Sequence, residues 1–222
     1  MGVGHIAVAL GASKAAPRLN VGWLVFAALL SDFLLGIFAA LGLEHAEVPA
    51  NYATRHYLLF TFPYSHGLLP LLIWGALLGL LVSSLHRSTR QRVVFVIAAL
   101  VLSHFVLDGL VHVAGLPLAG ENSPKLGLGL WRNLPLELTL ETLMTLAGAA
   151  LFWKAASASA VSRYGVVLVT LIVLALTWSE LVDVTPPDRR QMIIAWIAFP
   201  LVLSSIVYGL DWKRVHADPK IS

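Results

Sequence analysis

The chain contains no cysteine among its 222 residues. Disulfides, thiolate nucleophiles and thiolate metal ligands are therefore excluded. Charge is also scarce. Asp, Glu, Lys and Arg together make up 12% of the sequence, about half the fraction usual in soluble domains. No basic residue precedes the first apolar stretch, Ile6 to Leu10, and the first one, Lys14, follows it. The start therefore does not read as a secretory signal, which carries positive charge ahead of its apolar segment. There is no internal repeat and no low-complexity tail.

Apolar surface is what the sequence has in excess. Hydrophobic residues account for 58% of the chain and mean hydropathy is +0.82, which together with the low charge defines a polytopic membrane protein. Six apolar runs follow a short Ala- and Gly-rich start: Val21 to Leu43, Leu68 to Leu85, Val93 to Gly115, Leu134 to Trp153, Tyr164 to Val182 and Met192 to Leu210. About 20 apolar residues suffice to cross the hydrocarbon. The expected architecture is all-α: one integral membrane domain over residues 1–222, a transmembrane helix bundle of six spans plus a short N-terminal helix stopped by Pro17. That first helix is too short to span and reads as packed or re-entrant. The pI of 9.4 fits basic cytoplasmic loops rather than nucleic-acid binding.

Basic residues orient the spans. With Lys14 and Arg18 in the cytoplasm, that side also collects Arg87, Arg90, Arg92, Lys154, Arg163, Lys213, Arg214 and Lys220. Arg55, Lys125, Arg132, Arg189 and Arg190 fall outside. The ten-to-five asymmetry among these basic residues follows the positive-inside rule. The loops Glu44 to Tyr64 and Leu116 to Asn133 then lie outside. The glycine-containing run Lys125 to Trp131 follows no strand, so it reads as a tight amphipathic surface loop and not a phosphate cradle. Asp183 to Gln191 reads as a plain turn.

Few ionisable residues fall inside the runs: Asp32, His104, Asp108, His112, Glu137, Glu141 and Glu180, with His66 at the start of the second. In Ser103-His104-Phe-Val-Leu-Asp108-Gly-Leu-Val-His112, the three ionisable side chains recur every four residues. They share one helical stripe, with about 6 Å of rise per step. By rise per residue, all of the set lies at or beyond the midplane on the outer side. Imidazole with carboxylate and no thiolate suits a divalent ion, zinc first, with manganese or iron as alternatives. Each residue also has a plainer reading. His104 and Asp108 could only join helices, Glu137 follows Pro135 in a helix first turn, and Glu180 and Asp183 sit at a helix end. His45, His56 and His216 are loop or tail residues, and His5 alone reads as packed.

Four segments carry a resemblance: Gly4-His5-Ile-Ala, Leu29-Leu-Ser-Asp32, Pro63-Tyr-Ser-His66 and Ser103-His104-Phe-Val-Leu-Asp108. Together they resemble the small bacterial inner-membrane proteins described as metal-dependent hydrolases (YdjM-like), over His5 to about Leu118. In that family the first span ends in Pro-Asp-x-Asp-His. Here Ser31 replaces the proline, and Leu34-Leu35 stand where Asp-His is expected. The resemblance implies His5, Asp32, His66, His104 and Asp108 as metal ligands. It implies a bacterial inner-membrane location and no particular substrate.

The expected function is hydrolysis of a phosphoester or ester through metal-activated water, on a lipid, a lipid-linked carrier or a small periplasmic molecule. Glu141 is the candidate base, and His112 the alternative acid or a further ligand. The partners are then the bilayer and the substrate, not nucleic acid. Two other classes stay open. One is an ion- or proton-coupled transporter, which favours broken helices and paired repeats; the sequence displays neither. The other is a non-catalytic scaffold. The topology has its own test. The chain lacks cysteine, so Glu121→Cys and Thr89→Cys each create a sole labelling site. An impermeant thiol reagent applied to intact cells should modify position 121 and spare position 89, whereas the opposite pattern reverses the topology.

Overall fold

A computed structural model describes residues 2–85, 90–155, 158–182 and 185–213. Arg87, position 89, Asp183, Arg214, His216 and Lys220 lie outside the described residues, as does the side chain of Glu180. The fold is mostly helical. Its longer helices in chain order are α1 (Gly2–Ala12), α2 (Val21–Ala28), α3 (Leu30–Ala40), a short α4 (Tyr52–Arg55), α5 (Leu68–Ser84), α6 (Arg90–Val111), α7 (Leu134–Trp153), α8 (Ala160–Trp178) and α9 (Arg189–Leu210). Four described segments are long and apolar enough to cross a membrane: α6, α7 with the 3-10 turn before it, α8 and α9. The count is five if α2 and α3 form one span. The 17-residue α5 is shorter than these four.

Two sequence expectations need revising. The first apolar run is not one straight helix: α2 and α3 bend by 52° at Leu29. Leu29 leaves helical geometry (φ −104°, ψ 7°), with its N–H bonding back to the Val25 and Phe26 carbonyls. No proline marks the break, so pattern reading had no signal for it. The first helix also ends at Ala12, well before Pro17.

Helix α1 occupies the interior. Val3, Gly4, His5, Ile6, Ala7, Ala9 and Leu10 are all buried, and the helix packs against α7, α2 and α6. Eleven residues rise only about 16 Å, so α1 sits inside the bundle without crossing it. Small residues let it in. A Cβ on Gly148 of α7 would come within 2.3 Å of the Ala7 carbonyl oxygen, a contact only glycine permits. In the same way Gly36 lets α3 lie against Ile197 of α9. Such small-residue seams are the usual means of close helix approach in membranes.

The opposite faces are apolar and open. Phe95, Val106, Leu168 and Leu176 are among the exposed residues of α6 and α8, a pattern suited to lipid contact and costly in water. Buried polar groups tie the far end of the bundle. Asp211, fully buried, accepts the Val21 N–H (3.0 Å) and the Ser162 hydroxyl (2.5 Å), which joins α9 to the starts of α2 and α8.

The two loops at the C-terminal end of α6 are folded down over it. Strands β1 (His45–Glu47) and β2 (Leu59–Thr61) pair antiparallel, with Ala46 opposite Phe60. Strands β3 (Leu116–Pro117) and β4 (Lys125–Leu126) form a second antiparallel pair. The second loop is thus more than a surface feature. Its Leu128 and Gly129 N–H groups bond the Gly109 and His112 carbonyls (2.8 and 2.7 Å), satisfying acceptors that a helix end leaves open.

The α1–α7 seam generates a prediction. Gly148→Leu must displace α1, and overpacking of this kind costs about 1–3 kcal/mol. The variant should melt at lower temperature and lose the metal-binding capacity considered below, because His5 rides on α1. Unchanged melting in detergent would contradict the close packing.

Candidate metal centre

The helix break, the folded loops and the buried α1 converge on the stripe of α6. His104 and Asp108 face inward, fully buried or nearly so, and His112 stands one turn further on, just past the helix. His5 reaches them from α1, Asp32 from the first turn of α3, and His66 from the turn that leads into α5.

Asp108 is the hub. Its Oδ1 lies 3.1 Å from His5 Nε2, and its Oδ2 lies 3.2 Å from His112 Nε2, 3.3 Å from His104 Nε2 and 3.6 Å from His66 Nε2. Asp32 Oδ1 is 3.8 Å from both His66 Nε2 and His104 Nε2. The two Nε2 atoms of His66 and His104 are themselves 3.2 Å apart. The His5 and His104 rings stack face to face at 3.8 Å, within 3° of parallel. The structure thus brings together His5, Asp32, His66, His104, Asp108 and His112.

Neighbouring groups fix the rings. The Ala28 carbonyl, at the last residue before the helix break, accepts from His104 Nδ1 at 2.8 Å. A carbonyl can only accept, so the proton sits on Nδ1, and a neutral ring turns its Nε2 lone pair toward Asp108, Asp32 and His66. Metal-ligating histidines are held in this way by their second nitrogen. Ser65 Oγ lies 2.7 Å from His66 Nδ1 and can serve that ring likewise.

The three serines that precede ligand candidates behave differently from one another. Ser103 bonds its own helix at the Leu100 carbonyl (2.7 Å), as a helical neighbour 100° off the stripe should. Ser65 reaches the adjacent histidine because residues 63–66 form a turn and not a helix. Among the described residues, buried Ser31 Oγ has no hydrogen-bond partner.

One positioning residue gave no sequence signal. Glu44 is completely buried, and its Oε1 accepts the N–H groups of Tyr64 and Ser65 at 2.7 and 2.9 Å. It therefore anchors the turn that delivers His66. At the sequence level it was only the first residue of an outer loop.

These donors can hold a metal ion. Two triads have one donor atom per residue mutually within 4.8 Å: His5, His104 and Asp108, and Asp32, His66 and His104. Bonds of about 2.0–2.2 Å to one ion at tetrahedral or right angles place neighbouring donors about 2.8–3.6 Å apart. The observed spacings of 3.1–3.8 Å overlap that range and run slightly past its upper end. Lone pairs and carboxylate oxygens aimed at one point repel unless a cation or protons lie between them.

A cavity of about 140 Å³ opens on the cluster, lined by His5, Asp32, His66, Asp108 and His112, with Phe62, Trp131 and Trp196 among its walls. Asp32 is the partly exposed member, with 28% of its side chain accessible. Glu141 is placed elsewhere. It is fully buried one turn below Glu137 on α7, and both line a separate cavity of about 280 Å³. The two cavities share Gly2, Phe60 and Trp131. A general base must come within hydrogen-bond reach of the proton that it takes; His112 shares the cluster's cavity and Glu141 does not. His45 is an exposed strand residue, and His56 lines the larger cavity.

No family model, curated protein or solved structure matches the chain.

Glu44 gives the site a test away from the donors. Glu44→Ala leaves two backbone N–H groups unpaired, which costs about 1–3 kcal/mol. Loss of an outer-shell support typically weakens metal binding about 10- to 100-fold. Zinc titration should show a drop of that order, while Ser103→Ala should leave metal binding near wild type. Equal losses in the two variants would remove Glu44 from its positioning role.

Proposed function

We propose that this chain is a membrane-embedded, metal-dependent hydrolase of the YdjM-like kind. It would cleave a phosphoester or ester of a lipid, a lipid-linked carrier or a small periplasmic molecule. The carrying observation is the convergence of His5, His66 and His104 Nε2 with the Asp32 and Asp108 carboxylates, at 3.1–3.8 Å, beside a small cavity.

Zinc is the expected ion, with manganese or iron as the alternatives, because the donors are nitrogen and oxygen without sulfur. Bound there, such an ion supplies Lewis acidity and lowers the pKa of a water it holds to about 7. The chain's own residues do the rest. Asp108 and Asp32 provide the negative charge that retains a cation. Ala28 and Ser65 hold His104 and His66 in the ligating tautomer. His112, absent from both triads yet 3.2 Å from Asp108, is the acid or base of the reaction. Phe62, Trp131 and Trp196 give the pocket apolar walls on one side, and low polarity beside a charge strengthens its interactions.

In the membrane, we propose six crossings. The α2–α3 pair is the first, and α5, with 17 apolar-rich residues, is at the short end of the spanning range of about 17–25. On that topology the ten-to-five basic asymmetry favours the outer side of a bacterial inner membrane for the cluster and its two covering loops.

One observation favours a second reading. A helix broken at the ion-binding level is a hallmark of secondary transporters, and α2–α3 breaks three residues before Asp32. Paired broken helices would be expected as well; among the described residues there is one bent pair.

The experiment separates them. Wild type, His104→Ala and His112→Gln are reconstituted in liposomes and assayed against phospholipids and isoprenoid phosphates, with and without chelator. Hydrolysis should vanish with chelator and with His104→Ala. It should fall about 10²- to 10⁴-fold in His112→Gln, which should still bind metal. Turnover indifferent to chelator would refute the hydrolase reading. Stoichiometric metal without turnover, but with ion flux, would establish the transporter.

A further inference from the structure

A pocket at the other end of the bundle has no part in the reading above. It measures about 360 Å³ and is lined by Ala16, Pro17, Arg18, Leu19, Arg92 and Val93. The first four belong to the connection between α1 and α2, the last two to the first turn of α6. Along α6, Arg92 stands about 24 Å from Asp108, so the pocket is remote from the His/Asp cluster. Its lining is amphipathic. Ala16, Leu19 and Val93 are buried, whereas Arg18 and Arg92 are exposed.

These two arginines are not spent on the fold. Other basic residues have visible partners: Arg163 donates to the Ala155 carbonyl (3.1 Å), Arg55 to the Tyr57 hydroxyl (2.9 Å), and Lys125 pairs with Glu121. Among the described residues, the side chains of Arg18 and Arg92 have no hydrogen bond or ion pair, and no acid lines their pocket. The buried acid at this end, Asp211, already accepts from Val21 and Ser162. Arg90 shares the first turn of α6 with Arg92, and that turn contains no acidic residue. The positive end of a helix dipole favours anions and disfavours such cations. Paired guanidinium groups and a helix start crowded with positive charge both call for an anion.

The walls and the depth give its class. Guanidinium groups match phosphate oxygens bidentately. Helix α6 is long and apolar enough to cross a membrane, so its first turn lies at headgroup level. Basic pockets between spanning helices hold anionic lipid headgroups. Buried apolar side chains next to the arginines suit the glycerol and first acyl carbons of a lipid, and suit a hydrated free phosphate poorly. Basic residues that only orient a span need no cavity; these two share one. We propose that this pocket binds the phosphate of an anionic phospholipid headgroup between Arg18 and Arg92. The assignment does not depend on the hydrolase reading.

The test titrates lipids into the full chain in dodecyl maltoside and counts the retained lipids by native mass spectrometry. Phosphatidylglycerol and phosphatidylcholine share a phosphodiester, but only the first carries net negative charge. Wild type should hold one phosphatidylglycerol about 30-fold more tightly than phosphatidylcholine, the size expected of two charge contacts with an anionic lipid. Arg18→Gln combined with Arg92→Gln should remove about that factor. Arg189→Gln combined with Arg190→Gln takes the same charge from the opposite end of the bundle and should leave the affinity near wild type. Equal affinity for the two lipids, an unaffected pocket variant, or an equal loss in the control variant would each overturn the proposal. So would displacement of phosphatidylglycerol by equimolar inorganic phosphate, which would assign the pocket to a soluble anion. The wild-type comparison of the two lipids decides even if the pocket variant fails to fold.

Discussion

One carboxylate, Asp108, sits buried among four imidazole nitrogens at 3.1–3.6 Å, and much of the surrounding structure serves that arrangement. An ionised group in a dry interior costs many kcal/mol unless charge and hydrogen bonds compensate it. The compensation arrives from three separate parts of the chain, and a fourth adds a second carboxylate. The α6 stripe gives two histidines, α1 brings His5 into the core, the 63–66 turn brings His66, and the start of α3 brings Asp32 close to two of those rings. A non-spanning helix held inside a bundle makes sense as the carrier of such a donor.

The surrounding irregularities have the same logic. Irregular backbone at membrane depth is tolerated where its polar groups are satisfied by protein. The break at Leu29 places the Ala28 carbonyl where His104 can donate to it. Buried Glu44 holds the turn under His66 through two backbone N–H groups. The loop after α6 returns two N–H groups to the carbonyls of Gly109 and His112. Each departure from regular helix orients a ring or closes the end of α6.

Much of this could be read in the residues alone. His104, Asp108 and His112 recur at i, i+4 and i+8, and that period needs only a helix to become a cluster. Asp32 and His66 stood out because ionisable groups are rare in apolar runs. His5 had no such signal, since a single histidine on a short Ala- and Gly-rich helix is ordinarily packing; only the resemblance singled it out. The helix break was illegible because no Pro or Gly pair sits at Leu29. Glu44 was illegible because its function depends on a turn 20 residues away in sequence. Glu141 was grouped with the site by depth along the helix axis, which fixes height and not azimuth. Its side chain opens on the neighbouring cavity.

If the imidazole and carboxylate atoms around Asp108 form a metal site, the purified protein carries a divalent ion there. Elemental mass spectrometry on the purified chain, after equilibration with zinc, manganese or ferrous iron and removal of excess, addresses it directly. A stoichiometric divalent ion should be retained through gel filtration and lost in Asp108→Asn. A folded wild-type protein that retains none of the three metals would contradict it, and would leave the cluster as a proton-sharing network that joins helices.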